Sequence, residues 1–165
     1  MAIIVEDGTQ VAGANSLVSV EDYEQHAVKT GVTLTGFPNE QLIKAMQYIN
    51  EQEPMLLGQR VTRDQGNAYP RTGLVIEGWS WLSTEIPRQA IQAQIALALD
   101  INAGYDLWNP PIRTERIVKR DRVEGAVERE YQVIGGESKM LSRYSNTQAL
   151  MASLMKQNGL TLVRA

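Results

Sequence analysis

Apolar positions recur at helical spacing in four stretches of this chain, and each stretch is bracketed by the residues that start and stop helices. In the first, Val20, Tyr23, Ala27 and Val28 share one face. Ser19 is placed as the N-cap, Glu21 and Asp22 lie in the first turn where the helix dipole favours negative charge, and Gly31 is the stop. The second runs from Asn39 as cap through Leu42, Ala45, Met46 and Ile49 to a stop at Pro54. The third, "PRQAIQAQIALALDINAGY", is apolar around much of its circumference, with alanines at 90, 93, 96 and 98 that let neighbours approach closely. Pro87 fits its first helical position, Ile86 packs back as a staple, and Gly104 ends it. The fourth is capped by Asn146, carries Leu150, Met151, Leu154 and Met155, and stops at Gly159.

Between the helices the period changes. "AIIVE" near the start reads as a short β run followed by the turn-rich "DGTQVAGANS". Residues 54–86 hold glycines, prolines and aromatics without a sustained period, a long connection with local turns. "TERIVKRDRVEGAVEREYQVI" fits a hairpin whose loop is Glu124, Gly125 and Ala126. That register sets Val123 against Val127, Arg122 against Glu128, Asp121 against Arg129, Arg120 against Glu130 and Ile117 against Val133. A slip by one residue opposes Asp121 to Glu128 and Arg120 to Arg129, so the charges choose the register.

The resulting expectation is a mainly α fold: a small bundle of about four helices with a long β-hairpin arm and extended termini. One domain of 165 residues places the bundle at about 17–108 plus 146–158, the arm at about 113–135 and a tail at 159–165. No internal repeat or low-complexity tract interrupts it.

Composition narrows the chemistry. With 43% hydrophobic and 21% charged residues the chain has the means to bury a core. The absence of cysteine removes disulfides, thiolate metal sites and cysteine nucleophiles, which fits a reducing compartment. "MAIIVEDGTQ" lacks the basic n-region and long apolar run of a signal peptide, and no segment approaches the roughly 20 apolar residues of a membrane helix, so a soluble protein is expected. A net charge of −3 means that any contact with DNA depends on local distribution or on many copies arranged around it.

Candidate chemistry is sparse. The one histidine, His26, has no nucleophile or orienting partner in the sequence, and no HExxH, GxSxG, Walker or GxGxxG pattern is present. The acidic pairs Glu21/Asp22 and Glu51/Glu53 fall at helix ends, where capping and solvation account for them. Neither an enzyme nor a metal or organic cofactor is expected. The basic cluster Arg113, Arg116, Lys119, Arg120 and Arg122 suits phosphate contact, although the hairpin register supplies acidic partners for several of its members. Trp79, Trp81 and Trp108 suit base stacking, anchoring of a loop or a partner's pocket, and the Trp79-Ser80-Trp81 spacing puts two rings on one side of an extended segment.

Four stretches, "ANSLVSVEDYEQHAVKTG", "LIKAMQYINEQ", "YPRTG" and "IPRQAIQAQIALALDI", in this order, resemble the small head-tail connector (adaptor, neck) proteins of tailed phages, a family often labelled DnaT-like ssDNA-binding. The family's aromatic-Pro-Arg loop commonly carries tryptophan, and this chain has Tyr69 there. The resemblance spans the chain from about residue 14 to the last helix. It implies a non-catalytic virion protein that forms a ring of about twelve copies under the portal and continues the channel for genomic double-stranded DNA toward a further neck or tail-completion protein. Its place would be the neck of the virion, and the host cytoplasm during assembly. On this reading Arg113, Arg116, Lys119, Arg120 and Arg122 face the channel or a neighbouring subunit, and Trp79, Trp81, Leu160, Leu162, Val163 and Arg164 dock onto the portal or tail.

Tyr69, Pro70, Arg71 and Gly73 are read as a structural clasp. Pro70 restricts Tyr69, Gly73 permits a turn, and Arg71 is expected to make a charge-assisted hydrogen bond to a helix end or a neighbouring chain. The alternative function takes the label literally: a single-stranded-DNA-binding replication accessory protein, which the basic hairpin strand and three tryptophans favour and the net charge opposes.

Overall fold

The computed structural model describes residues 2–109, 118–124, 126–131 and 147–156. Four helices lie among them: α1 (Val20–Lys29), α2 (Pro38–Glu51), α3 (Arg88–Asn102) and α4 (residues 147–154). Six short strands pair antiparallel as β1 (Gln59–Arg60) with β2 (Arg71–Thr72), β3 (Val75–Ile76) with β4 (Trp79–Ser80), and β5 (Val118–Glu124) with β6 (Ala126–Tyr131). The mainly α fold with a hairpin is thus the one expected. No helix among the described residues is long and apolar enough to cross a membrane.

Local chemistry sets the helix ends. The Ser19 hydroxyl accepts the Asp22 amide at 3.1 Å and starts α1. At the other end Gly31 takes a positive φ of 66°, and the Val32 amide reaches the Ala27 carbonyl at 2.8 Å, the six-to-one bond that closes a helix C-terminus. α2 begins two residues earlier than the Asn39 cap predicts, with Pro38 in the first turn and Phe37 as cap, because a proline there sacrifices no hydrogen bond. α3 begins one residue later than predicted. Pro87 is its cap, and its ψ of 136° is still extended.

α3 is the central element. Ala90, Ala93, Leu97 and Ala98 are fully or almost fully buried, and α2 lays Leu42, Ala45, Met46 and Ile49 against the same core. Tyr23 and Ala27 bring α1 onto it, and Met151 and Leu154 bring α4. Val28, expected on the buried face of α1, is 79% exposed, since the core takes the narrower stripe of Tyr23 and Ala27 with Val20 partly buried beside it. A buried Gln94 on α3 ties the N-terminal segment down. Its carbonyl accepts the Leu17 amide at 2.8 Å, and its amide donates to Ser16 Oγ at 2.9 Å and the Leu42 carbonyl at 3.0 Å. The "AIIVE" run is not a strand of a sheet: its pairing is a single parallel bridge, Val5 with Ser16.

The long connection is more ordered than its irregular sequence suggests. Ile76 and Trp79 flank a two-residue loop, Glu77-Gly78, in which both φ angles are positive (54° and 83°), as the tight hairpin turns that match strand twist require. In β5–β6 the expected register holds for Asp121/Arg129, Arg122/Glu128 and Val123/Val127, and pairing continues to Glu124/Ala126, one pair closer to the turn than a three-residue loop allows. An irregularity between Val118 and Asp121 then sets Val118 against Tyr131, so one extra residue enters β5 and the expected Arg120/Glu130 pairing is displaced. Ile117, Val133, Asn146 and Gly159 lie outside the described residues.

Candidate functional site: the arginine-centred connection and its cleft

The Tyr69–Pro70 peptide bond is cis, and Tyr69 is fully buried in the core. Its hydroxyl has no hydrogen-bond partner among the described residues, and burial pushes its phenol well above the ordinary tyrosine value against a smaller opposite pull from Arg71. Arg71, only 3% exposed, follows directly as the first residue of β2. Its Nε donates to the Leu57 carbonyl at 2.6 Å, Nη2 to the Gly58 carbonyl at 2.9 Å and Nη1 to the Ala68 carbonyl at 3.1 Å. One planar fork therefore ties both sides of the connection together, a geometry the five fixed donors of arginine permit. Burial lowers the guanidinium's pKa from its usual value, with Tyr69 and Glu53 opposing the shift. It stays charged at any physiological pH.

Glu53 lies 3.8 Å from Arg71 Nη1 and takes a two-pronged contact from Arg60. That contact raises the Arg60 pKa above its ordinary value. Around this centre the buried Gln65 donates to the Asn67 and Pro70 carbonyls at 2.8 and 2.9 Å and accepts the Val61 amide at 3.1 Å. Asn50 on α2 accepts the Ala68 amide at 2.7 Å, and Asn67 donates to the Ala14 carbonyl at 2.9 Å. The connection is fastened to a helix, to the N-terminal segment and to itself.

α4 closes one side. The Leu57 amide donates to the Leu154 carbonyl at 2.8 Å and the Lys156 amide to the Met55 carbonyl at 2.7 Å, so residues beyond α4 run antiparallel to residues 55–57. Beside this run lies a cleft of about 470 Å³, whose lining includes Glu53, Arg60, Thr62, Arg63, Arg71 and Lys156.

The sequence-predicted residues divide accordingly. Tyr69, Pro70 and Arg71 are buried together, and Gly73 makes its turn at a φ of 66° beside them. Trp79 and Trp81, expected to present two rings to one side, do not: Trp79 is 76% exposed, whereas Trp81 leaves the strand and packs partly buried against the core. Trp108 stands edge-on to Tyr48, with centroids 6.0 Å apart, and donates to Glu51 at 2.5 Å. Lys119, Arg120 and Arg122 lie on β5, and Arg113, Arg116, Leu160, Leu162, Val163 and Arg164 lie outside the described residues.

Glu53, assigned from the sequence to helix-end solvation, is instead held between two arginines. Arg60, Arg63 and Lys156 were not singled out at all. No motif links residues 60 and 156, which meet only through the antiparallel run after α4. Among the described residues no group of histidine, aspartate and glutamate gathers as a metal site.

This chain, a small helical domain with a strongly fastened connection and a cationic cleft, belongs to the family described as "Putative DnaT-like ssDNA binding protein", whose model matches residues 1–165. No curated protein and no solved structure matches it.

Proposed function

We propose that the chain is a non-catalytic protein that binds single-stranded DNA. The observation that carries this reading is the family match over the whole chain, residues 1–165. Two features of the molecule support it. β5 concentrates Lys119, Arg120 and Arg122 on one strand, and the cleft beside Arg71 gathers further cations against a single carboxylate. The net charge of −3 makes such local concentration the means by which the chain meets a polyanion. Fluorescence anisotropy with labelled single- and double-stranded oligonucleotides of one sequence tests it. Tighter, salt-dependent binding of the single strand is expected, and equal or absent binding contradicts it.

A second reading is the head-tail connector implied by the resemblance of "YPRTG" and "IPRQAIQAQIALALDI": a ring beneath the portal, located in the neck of the virion. What favours it is the apolar exposure around the β3–β4 hairpin, where Val75, Trp79 and Leu82 all face solvent as an unclaimed protein interface does. Electron microscopy of the protein mixed with its cognate portal tests this reading. Coaxial rings support it, and a monodisperse monomer with no association removes it.

A further inference from the structure

The cleft between residues 53–63 and Lys156 has a charge arrangement that its own structure does not use up. Four cationic side chains line it, Arg60, Arg63, Arg71 and Lys156, with one carboxylate, Glu53. Glu53 is already shared between Arg60 and Arg71, and Arg71 further spends its donors on three backbone carbonyls. Among the described residues Arg63, which is exposed, has no ion-pair partner, and Lys156 gives its ammonium only to the Pro54 carbonyl, at 3.1 Å. Two cations 93 positions apart in the chain therefore face the same concavity without an ion-pair partner among the described residues.

Cations of this kind attract an anion, and the lining says which part of a nucleic acid. Among the described residues no aromatic lines the cleft, so they offer no face there on which a base would stack. Guanidinium and ammonium groups without a stacking partner recognise phosphate. We infer that this cleft seats a backbone phosphate of the bound strand, with Arg63 and Lys156 as its two ligands and the Glu53–Arg60–Arg71 cluster as the rigid wall that holds them. The inference rests on the single-stranded-DNA reading and adds a place and a mode to it. The seat is indifferent to sequence and to strandedness, so preference for single strands arises elsewhere on the protein.

The test is the salt dependence of oligothymidylate binding by the full chain and by the Arg63→Gln/Lys156→Gln variant, with Arg63→Lys as the charge-preserving control. Both positions are exposed, and circular dichroism and Tm check that the fold is kept. Two lost phosphate contacts lower the slope of log affinity against log salt by about 1.4, so between about 50 and 200 mM salt the variant loses about sevenfold less affinity than the parent. Arg63→Lys retains the parent slope. If the parent binds and the double variant shows the same slope and affinity, the cleft is not the seat, while the DNA-binding reading stands. If the parent binds no oligonucleotide, both fall together. A double variant that keeps the parent slope but no longer associates with a protein partner assigns the cleft to a protein carboxylate and overturns the inference.

Discussion

The Nε of Arg71 donates to the carbonyl of Leu57 at 2.6 Å, joining the start of β2 to the chain just beyond α2 across a connection that its sequence leaves irregular. Nothing near either residue in the sequence announces the other. The connection is ordered because one buried cation bonds three carbonyls from both of its sides, one of them, that of Ala68, buried away from water.

Replacing Arg71 by Ala is expected to cost about 2–4 kcal/mol of stability, since it strands the buried Ala68 carbonyl, removes the bonds to the part-buried Leu57 and Gly58 carbonyls and leaves a hole where a buried side chain stood. Arg71→Lys recovers only part, because a single ammonium does not span carbonyls from both sides of the connection. Urea denaturation measures both. A midpoint unchanged in Arg71→Ala refutes the clasp.

Tyr69→Phe removes a buried hydroxyl that has no partner among the described residues, so stability near neutral pH is expected to be equal or slightly higher. The alkaline limb behaves differently. Burial raises the folded-state pKa of Tyr69 above the unfolded value of about 10, so its contribution is complete below that value and is lost as pH rises from there toward the folded value. Tyr69→Phe therefore flattens the fall in stability above about pH 10. Parallel curves for parent and variant refute the assignment.

Gln94→Ala is expected to cost about 2 kcal/mol or more and to loosen the N-terminal segment first, because the buried Leu17 amide loses its acceptor and Ser16 Oγ its donor, while the Leu42 carbonyl keeps its helical bond. Hydrogen exchange reads this directly as lost protection at Leu17, with protection inside α2 largely kept. Uniform loss across the chain contradicts the hub role.

Two glycines in the same connection respond oppositely. At Gly58 the φ is +69° and an added Cβ falls 2.6 Å from the Thr72 carbonyl oxygen, so Gly58→Ala is expected to destabilise by more than about 1 kcal/mol. Gly66 has no atom within 4 Å of such a Cβ, and Gly66→Ala is expected to be neutral or mildly stabilising. Thermal unfolding of the pair settles the point.

The two tryptophans of "WSW" separate folding from association. Trp79→Ser is expected to change stability by less than about 0.5 kcal/mol, whereas Trp81→Ala costs about 2 kcal/mol or more through lost packing. If Trp79 is part of an interface, its variant alone loses association in sedimentation. Equal destabilisation by both refutes the division.

The parts of the fold that a sequence makes legible are those whose cause is local. Ser19 and Gly31 bracket α1 through bonds spanning three to five residues, and the charges of Arg122 and Glu128 fix the hairpin register where the strand is regular. Helix starts near prolines were less legible: Pro87 is the cap of α3 rather than its first residue, and α2 starts at Pro38, two residues before the start that Asn39 as cap implies. Periodicity put Val28 in the core because it records which side chains share a face without recording how wide a stripe the neighbours cover. The "YPRTG" stretch stood out, but its acceptors at residues 57 and 58 did not, because carbonyls are carried by every residue. The cleft was the least legible of all. Arg63 and Lys156 are 93 positions apart and meet only when α4 has packed.

Isothermal titration of the full chain with a single-stranded oligonucleotide, repeated over a range of salt concentrations, tests the DNA-binding reading most directly. The expected result is saturable binding whose log affinity falls linearly with log salt, at a slope set by the number of phosphates engaged. Absence of binding heat at low salt, together with coaxial rings on a portal, would contradict it and leave the connector as the function of this fold.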